Sequence, residues 1–281
     1  MFIPLSFKDV INRFVDNLVD HYGDTLRALS ESVLSGVLLP LESALRALPP
    51  WLVLLAMGLL GWHATRRLRQ GVLLAGLLYL IGCLGLWDPL MQTFALMLVA
   101  MTLTVLLGVP AGILMARYEG VRRVLQPLLD IMQTLPTFVY LIPVLMLFGL
   151  GKVPAIFATV VYALPPLIRL TDLGIRQVDH DVAEAAWSFG PTRLQLLLGV
   201  QLPLALPSIM AGINQSIMMA LSMVVIASMI GARGLGEDVL IGIQTLDFGR
   251  GLQAGAAIVI LAIVLDRIGQ GYGGRRVPPR R

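Results

Sequence analysis

The chain has 281 residues, of which 57% are hydrophobic and 14% charged, with a net charge of +4 and a single cysteine, Cys83. Soluble proteins carry about 25% charged residues, so this composition cannot clothe an apolar surface in water and points to a chain dissolved in lipid. One cysteine excludes a disulfide framework and a multi-cysteine zinc site, and His21, His63 and His180 are too scattered to suggest a metal box, so no metal is expected.

From the N-terminus, Met1 to Val10 lacks the basic region and apolar core of a cleavable signal peptide. Residues 7–26 predict an amphipathic helix, with Phe7, Val10, Ile11, Phe14, Leu18, Tyr22 and Leu26 on one stripe. Leu41, Leu45 and Leu48 continue it, with Glu42 and Arg46 spaced i,i+4. This extension, residues 1–48, reads either as a helix at the outer membrane boundary or as one packed on its own bundle.

Seven apolar runs follow, near 50–65, 71–87, 90–116, 124–150, 153–170, 204–232 and 251–267. About 30 Å of hydrocarbon needs about 20 helical residues, so an all-α membrane protein of about seven transmembrane helices is predicted. Residues 49–88 hold two peripheral spans, 89–270 the core, and 271–281 a basic tail. Arg66, Arg67 and Arg69, then Arg117, Arg122 and Arg123, then Arg169, Arg176 and Arg193, and finally Arg267, Arg275, Arg276, Arg280 and Arg281 fall on one side of a seven-span topology. Positive loops stay in the cytoplasm, which places the N-terminus outside and the C-terminus inside.

An engine is missing from the sequence. The only lysines, Lys8 and Lys152, lie in no P-loop, and the one intramembrane acid, Asp130, sits near a span end, where solvation or a hydrogen bond suits it better than a proton relay. No hydrolase or metalloprotease motif is present, so no catalytic residue is expected.

Residues 179–203 can accept power from elsewhere. Asp181 and Glu184 have capping-box spacing, Gly190 supplies a left-handed stop, Pro191 blocks continuation, and Thr192 can cap a second helix that must yield near Pro203. Trp187 and Phe189 beside Ala185-Ala186 make an apolar knob rimmed by acids. It suits insertion into a partner's groove, or a hairpin folded back on the chain's own helices.

A conduit would need polar groups and interrupted helices at membrane depth. Gln133, Thr134 and Tyr140 flank Pro136, Pro165-Pro166 is expected to break the next span, and Asn214, Gln215 and Ser222 lie in a charge-free one. They either line a pathway or bond helix to helix. Met218, Met219 and Met223 offer flexible gate material or plain core packing. G-x-x-x-G occurs at Gly108–Gly112 and Gly251–Gly255, and permits close helix approach. The loop 231–250, with Arg233, Glu237, Asp238, Asp247 and Arg250, reads as an outer dock or as a solvated connector.

Glu184-Ala185-Ala186, then Gly190, then Leu202-Pro203 with Val200 before them, resembles the EAA loop of ABC importer permeases. Residues 130–151, 169–178 and 212–236 are similar to the branch importing glycine betaine, proline betaine and choline. The resemblance implies a type I importer permease fold in the cytoplasmic membrane of a bacterium. It also implies that Glu184, Ala185, Ala186, Gly190 and Pro203 couple to an ATPase subunit. Two copies of the permease would pair with two ATPases, which bind the ATP and Mg, and with a periplasmic or surface binding protein. No cofactor in this chain and no nucleic-acid partner is expected. Import of another small solute such as an amino acid, and an ATP-independent channel or carrier, are the rival readings.

Overall fold

A computed structural model describes residues 8–273. Among them every regular element is a helix. The elements are α1 (Lys8–Val33) and α2 (Leu39–Ala47), joined by a π-turn (Leu34–Leu38); α3 (Pro50–Thr65); α4 (Leu68–Cys83); α5 (Trp87–Arg117); and α6 (Glu119–Thr134). A 3₁₀ turn (Thr137–Tyr140) leads into α7 (Leu141–Phe148) and α8 (Lys152–Arg176). Then come α9 (His180–Trp187), α10 (Arg193–Leu196), a second π-turn (Leu197–Gln201), α11 (Leu202–Ser228), α12 (Leu235–Gln244) and α13 (Phe248–Gly273). Phe7 and residues 274–281 of the basic tail lie outside the described residues; residues 271–273 complete α13.

The central helix is α8, held between α5 and α11. Small residues bring the three together. A Cβ on Gly108 would meet Leu167 at 2.8 Å, and one on Gly112 would meet Thr171 at 2.5 Å and the Ile168 carbonyl at 2.8 Å. On the other face, Gly174 abuts Ser208 and Gly212 abuts Leu167. The buried Ser216 hydroxyl donates to the Ala163 carbonyl at 2.7 Å. The Gly108–Gly112 spacing is therefore a true helix interface. Of the other pair, Gly251 approaches Gly242 on α12, and Gly255 faces open space.

Several expectations need correction. The run 124–150 is not one straight helix: α6 and the following segment meet at 115°. Pro136 is the cause, because the residue before a proline is pushed out of the helical region, and Leu135 is extended at φ −66°, ψ 134°. Pro165-Pro166 do not break α8, which runs on to Arg176. They remove donors to the Val161 and Tyr162 carbonyls, but burial between two helices keeps the axis continuous. Pro203 does not end its helix either, and Arg193–Ser228 is continuous through the π-turn. There the Leu202 N–H reaches back five residues to Leu197. The same device precedes Pro40, with the Leu39 N–H on the Leu34 carbonyl. Gly36-Val37-Leu38-Leu39-Pro40 and Gly199-Val200-Gln201-Leu202-Pro203 share the pattern. A widened turn moves aside the carbonyl that the proline ring would strike.

Among the described residues five helices are long and apolar enough to cross a bilayer, or six with the bent pair, and α3 and α4 are shorter at 16 residues each. One of the five, Val19–Ala47, lies in the N-terminal extension, where the sequence left open a helix at the membrane boundary or one packed on the bundle. The extension packs on the bundle: α1 rests on α7, α2 on α5, and Leu38 is fully buried. Tyr22, from the predicted stripe, is exposed.

Candidate functional site

The loop between α8 and α11 stands out from the bundle. The side chain of Asp179, not Asp181, caps α9, accepting from the Asp181 N–H at 3.0 Å. The cap moves because the chain leaves α8 at Gln177 and is extended at Asp179. At the other end Gly190 takes φ +69° and its N–H bonds the Trp187 carbonyl, the left-handed stop the sequence predicted. Thr192 and Gln195 then form a complete capping box for α10. No residue of α9 is buried. Phe189 is 90% exposed and Val182 44%, so the apolar face points into solvent. Trp187 is 45% exposed as well, and its other side walls a cavity of about 220 Å³ with Ile113, Ile175, Arg193 and Leu197. Glu184 and Ala185 are exposed, and Glu184 lies 3.6 Å from His180. With Asp181 these two hold ligand-type atoms within 4.8 Å of one another, on a fully exposed face.

A second feature is an exposed stripe on α11. Ala211, Gln215, Met218, Ser222 and Met229 are exposed at helical spacing, while Ser216, Ala220, Met223 and Val224 are buried behind them. The 3₁₀ turn after the Pro136 bend packs against α11, and Gln133 and Thr134 are exposed just before that bend. The structure thus brings Gln133, Thr134, Gln215, Met218 and Ser222 to open surface. Two predicted pathway residues are elsewhere. The Tyr140 ring is buried edge-on to Tyr162, its hydroxyl bonding the Met132 carbonyl. Asn214 presses on α13, where a Cβ on Gly269 would overlap its Oδ1.

At the opposite end, Asp238 on α12 pairs with Arg250 at 2.6 Å, and Asp247 accepts from the Arg250 backbone N–H at 3.0 Å. Asp238 is thus spent holding α12 to α13, and Asp247 capping the first turn of α13. Arg233 is exposed and Glu237 half-buried in the first turn of α12. The most exposed groups here are apolar: Ile243, Leu246, Phe248 and Leu252. The sequence reading singled out the charges and passed over these.

It also passed over a set of ion pairs at the base of α8. Arg176 Nε donates to Asp172 at 2.9 Å and its other nitrogen to Glu119 at 2.8 Å; Arg122 lies 3.8 Å from Asp172; Arg169 bonds Asp130. Asp130 is therefore hydrogen-bonded. The i,i+4 spacing of Asp172 and Arg176 was visible in the sequence, but the partners on α6 were not.

Residues 108–274 match the family model described as binding-protein-dependent transport system inner membrane component. The chain is 46% identical over 268 residues to the glycine betaine transport system permease protein OpuAB of Bacillus subtilis, covering 95% of this chain and 94% of that one. It is 45% identical over 271 residues to the glycine betaine/proline betaine transport system permease protein ProW of Escherichia coli, covering 96% and 75%. Among solved structures, an inward-facing form of the MetNI methionine ABC transporter aligns with TM-score 0.55 at 22% identity, over 66% of this chain and 90% of that one, a likeness of fold.

Proposed function

The chain belongs to the family of binding-protein-dependent transport system inner membrane components, and we infer from this that it is the membrane-spanning permease subunit of an ATP-driven importer of quaternary ammonium compounds such as glycine betaine. The observation that carries the substrate class is likeness along nearly the whole chain to a glycine betaine permease. The permease itself is not an enzyme. ATP and Mg bind a partner ATPase, and a separate binding protein captures the solute outside.

Coupling falls to the loop at 179–203. Val182 and Phe189 offer apolar area that water does not favour, and the exposed Ala185 and half-buried Ala186 beside Glu184 are too small to hold a partner at a distance. Gly190 fixes the angle at which α9 leaves, and Pro203 follows the π-turn that joins the loop to α11. ATP-driven closure of two ATPases would displace α9 and, through it, α8 and α11, opening the conduit alternately to each side.

The conduit is the exposed stripe of α11 with Gln133 and Thr134, facing a second copy of the chain. A lone helix bundle with Gln215 and Ser222 open to lipid would leave an amide unsatisfied, and a facing copy turns that surface into a water-filled seam. The stripe carries no aromatic ring, so it offers no cation–π cage and lets the solute pass without holding it. The N-terminus lies outside and the C-terminus in the cytoplasm, by the distribution of arginines.

Reconstitution tests the reading. Vesicles holding this chain, its ATPase and its binding protein should accumulate labelled glycine betaine only with ATP. The Phe189→Ser variant, altered at a solvent-facing site, should insert normally and lose most of the bound ATPase. Uptake by this chain alone would overturn the assignment.

A further inference from the structure

The acidic and basic side chains at the base of α8 and α6 form one continuous ladder. Glu119 meets Arg176, Arg122 faces Asp172, and Asp130 meets Arg169, so positions that ascend α6 descend α8. Asp172 is the inner rung, only 5% exposed, and it accepts from Arg176 on its own helix at 2.9 Å. A carboxylate so buried needs its cations, and both cations here tie it to α6: Arg176 through Glu119, Arg122 directly. Beneath the ladder, Leu129 of α6 is buried against Met115 and Ile168.

The ends of this ladder matter. Below it, α8 stops at Arg176, and three residues later Asp179 caps α9, the exposed docking helix. Above it, α6 ends in Gln133 and Thr134 at the 115° bend, and the turn beyond packs on α11. A displacement of α9 therefore has a charged connection to the pathway side of α6, separate from the covalent one through α11.

One rung is open. Arg122 Nε is buried and has no hydrogen-bond partner, while the nearest Asp172 oxygen stands at 3.8 Å. Charge-assisted bonds close at about 2.7–2.9 Å, so a slide of about 1 Å between the helices would make this bond. A buried donor left unpaired beside its natural acceptor marks an arrangement with a second, better satisfied state.

We propose that Asp172, Arg176 and Glu119 are positioning residues that carry motion of the coupling loop to α6, and that the Arg122–Asp172 bond closes when the ATPases drive that motion. The proposal rests on the permease reading above. Its test uses the full complex of permease, ATPase and binding protein in vesicles, measuring glycine betaine uptake and ATP hydrolysis together. Arg122→Gln removes the 3.8 Å ion pair but no hydrogen bond, and Arg176 still pairs with Asp172, so the variant should assemble and melt only slightly below the parent. Uptake per ATP should fall about tenfold, the scale of changes along a coupling network. Asp172→Asn should fall at least as far, since it also weakens the Arg176 bond, and the double variant no further than Asp172→Asn, because Arg122 acts only through Asp172. Glu119→Gln, an exposed change, should give an intermediate loss. Unchanged uptake per ATP in Arg122→Gln, or losses that multiply in the double variant, would overturn the ladder's role while leaving the permease reading intact. Absence of ATP-dependent uptake in the parent complex would instead remove the permease reading and the ladder with it.

Discussion

Lys152 donates to both carboxylate oxygens of Glu42, at 2.8 and 2.6 Å, and reaches Gln92 at 3.4 Å. The pair joins α2 to the first residue of α8, and both side chains are largely buried. Next to it, Arg46 bonds Asp88, which also accepts from Gln92. The N-terminal extension is thereby fastened to one end of the helix whose other end leads to the loop at 179–203. Replacing Lys152 by Met would strand a buried carboxylate, which costs about 3–5 kcal/mol. The variant should melt well below the parent in detergent, and Lys152→Met with Glu42→Gln should recover most of the loss. Equal melting of parent and single variant would contradict the buried pair.

Gly112 lies where α5 and α8 touch backbone to side chain, with Thr171 and the Ile168 carbonyl inside 3 Å of any added Cβ. Gly112→Ala should cost about 1–3 kcal/mol by forcing the helices apart. Gly255→Ala, which meets nothing within 4 Å, should be silent. Thermal melting of the two variants side by side checks this, and equal effects would refute the interface.

Ser222 is exposed on the α11 stripe one turn from Met218, whose carbonyl accepts its hydroxyl at 3.0 Å. In a Cys83→Ser background, Ser222→Cys should transport, and then stop when a bulky thiol reagent is attached. Ser228→Cys, buried at the end of the same helix, should resist labelling. Continued uptake after full labelling at position 222 would move the conduit elsewhere.

The sidedness of the N-terminus separates the two fates of residues 19–47. On the proposed topology Ala47 lies outside in either case, since α2 is fastened to the end of α8 opposite the loop at 179–203. A reporter placed before Met1 should read outside, and one in the loop at Ser188 inside. A cytoplasmic reading at the N-terminus would mean that Val19–Ala47 crosses the bilayer, and would invert the first part of the topology.

The stop and the second cap in the loop at 179–203 were legible because their signals are local, while the first cap fell on Asp179 and not on Asp181. Gly190 needs only its own φ, and Thr192 only a Gln three positions on. The lipid-dissolved, all-helical class was equally legible, since scarce charge and long apolar runs are properties of the chain before it folds. The exposed stripe of α11 was half legible. Gln215, Met218 and Ser222 share a face by helical spacing, but Asn214 is one residue round the turn and falls against Gly269.

Prolines gave the poorest guidance. The sequence marks Pro136, Pro165, Pro166 and Pro203 alike, yet only Pro136 bends the chain sharply. Flanking helices keep α8 straight through its pair, and a π-turn absorbs Pro203. What the residues alone determined, then, is where helices can form and which loops carry positive charge. Which helices neighbour one another was decided only in three dimensions. The partners of Asp172, Lys152 and Ser216 stand far away in sequence, and a charge or hydroxyl in a chain names no partner until packing brings one within about 3 Å.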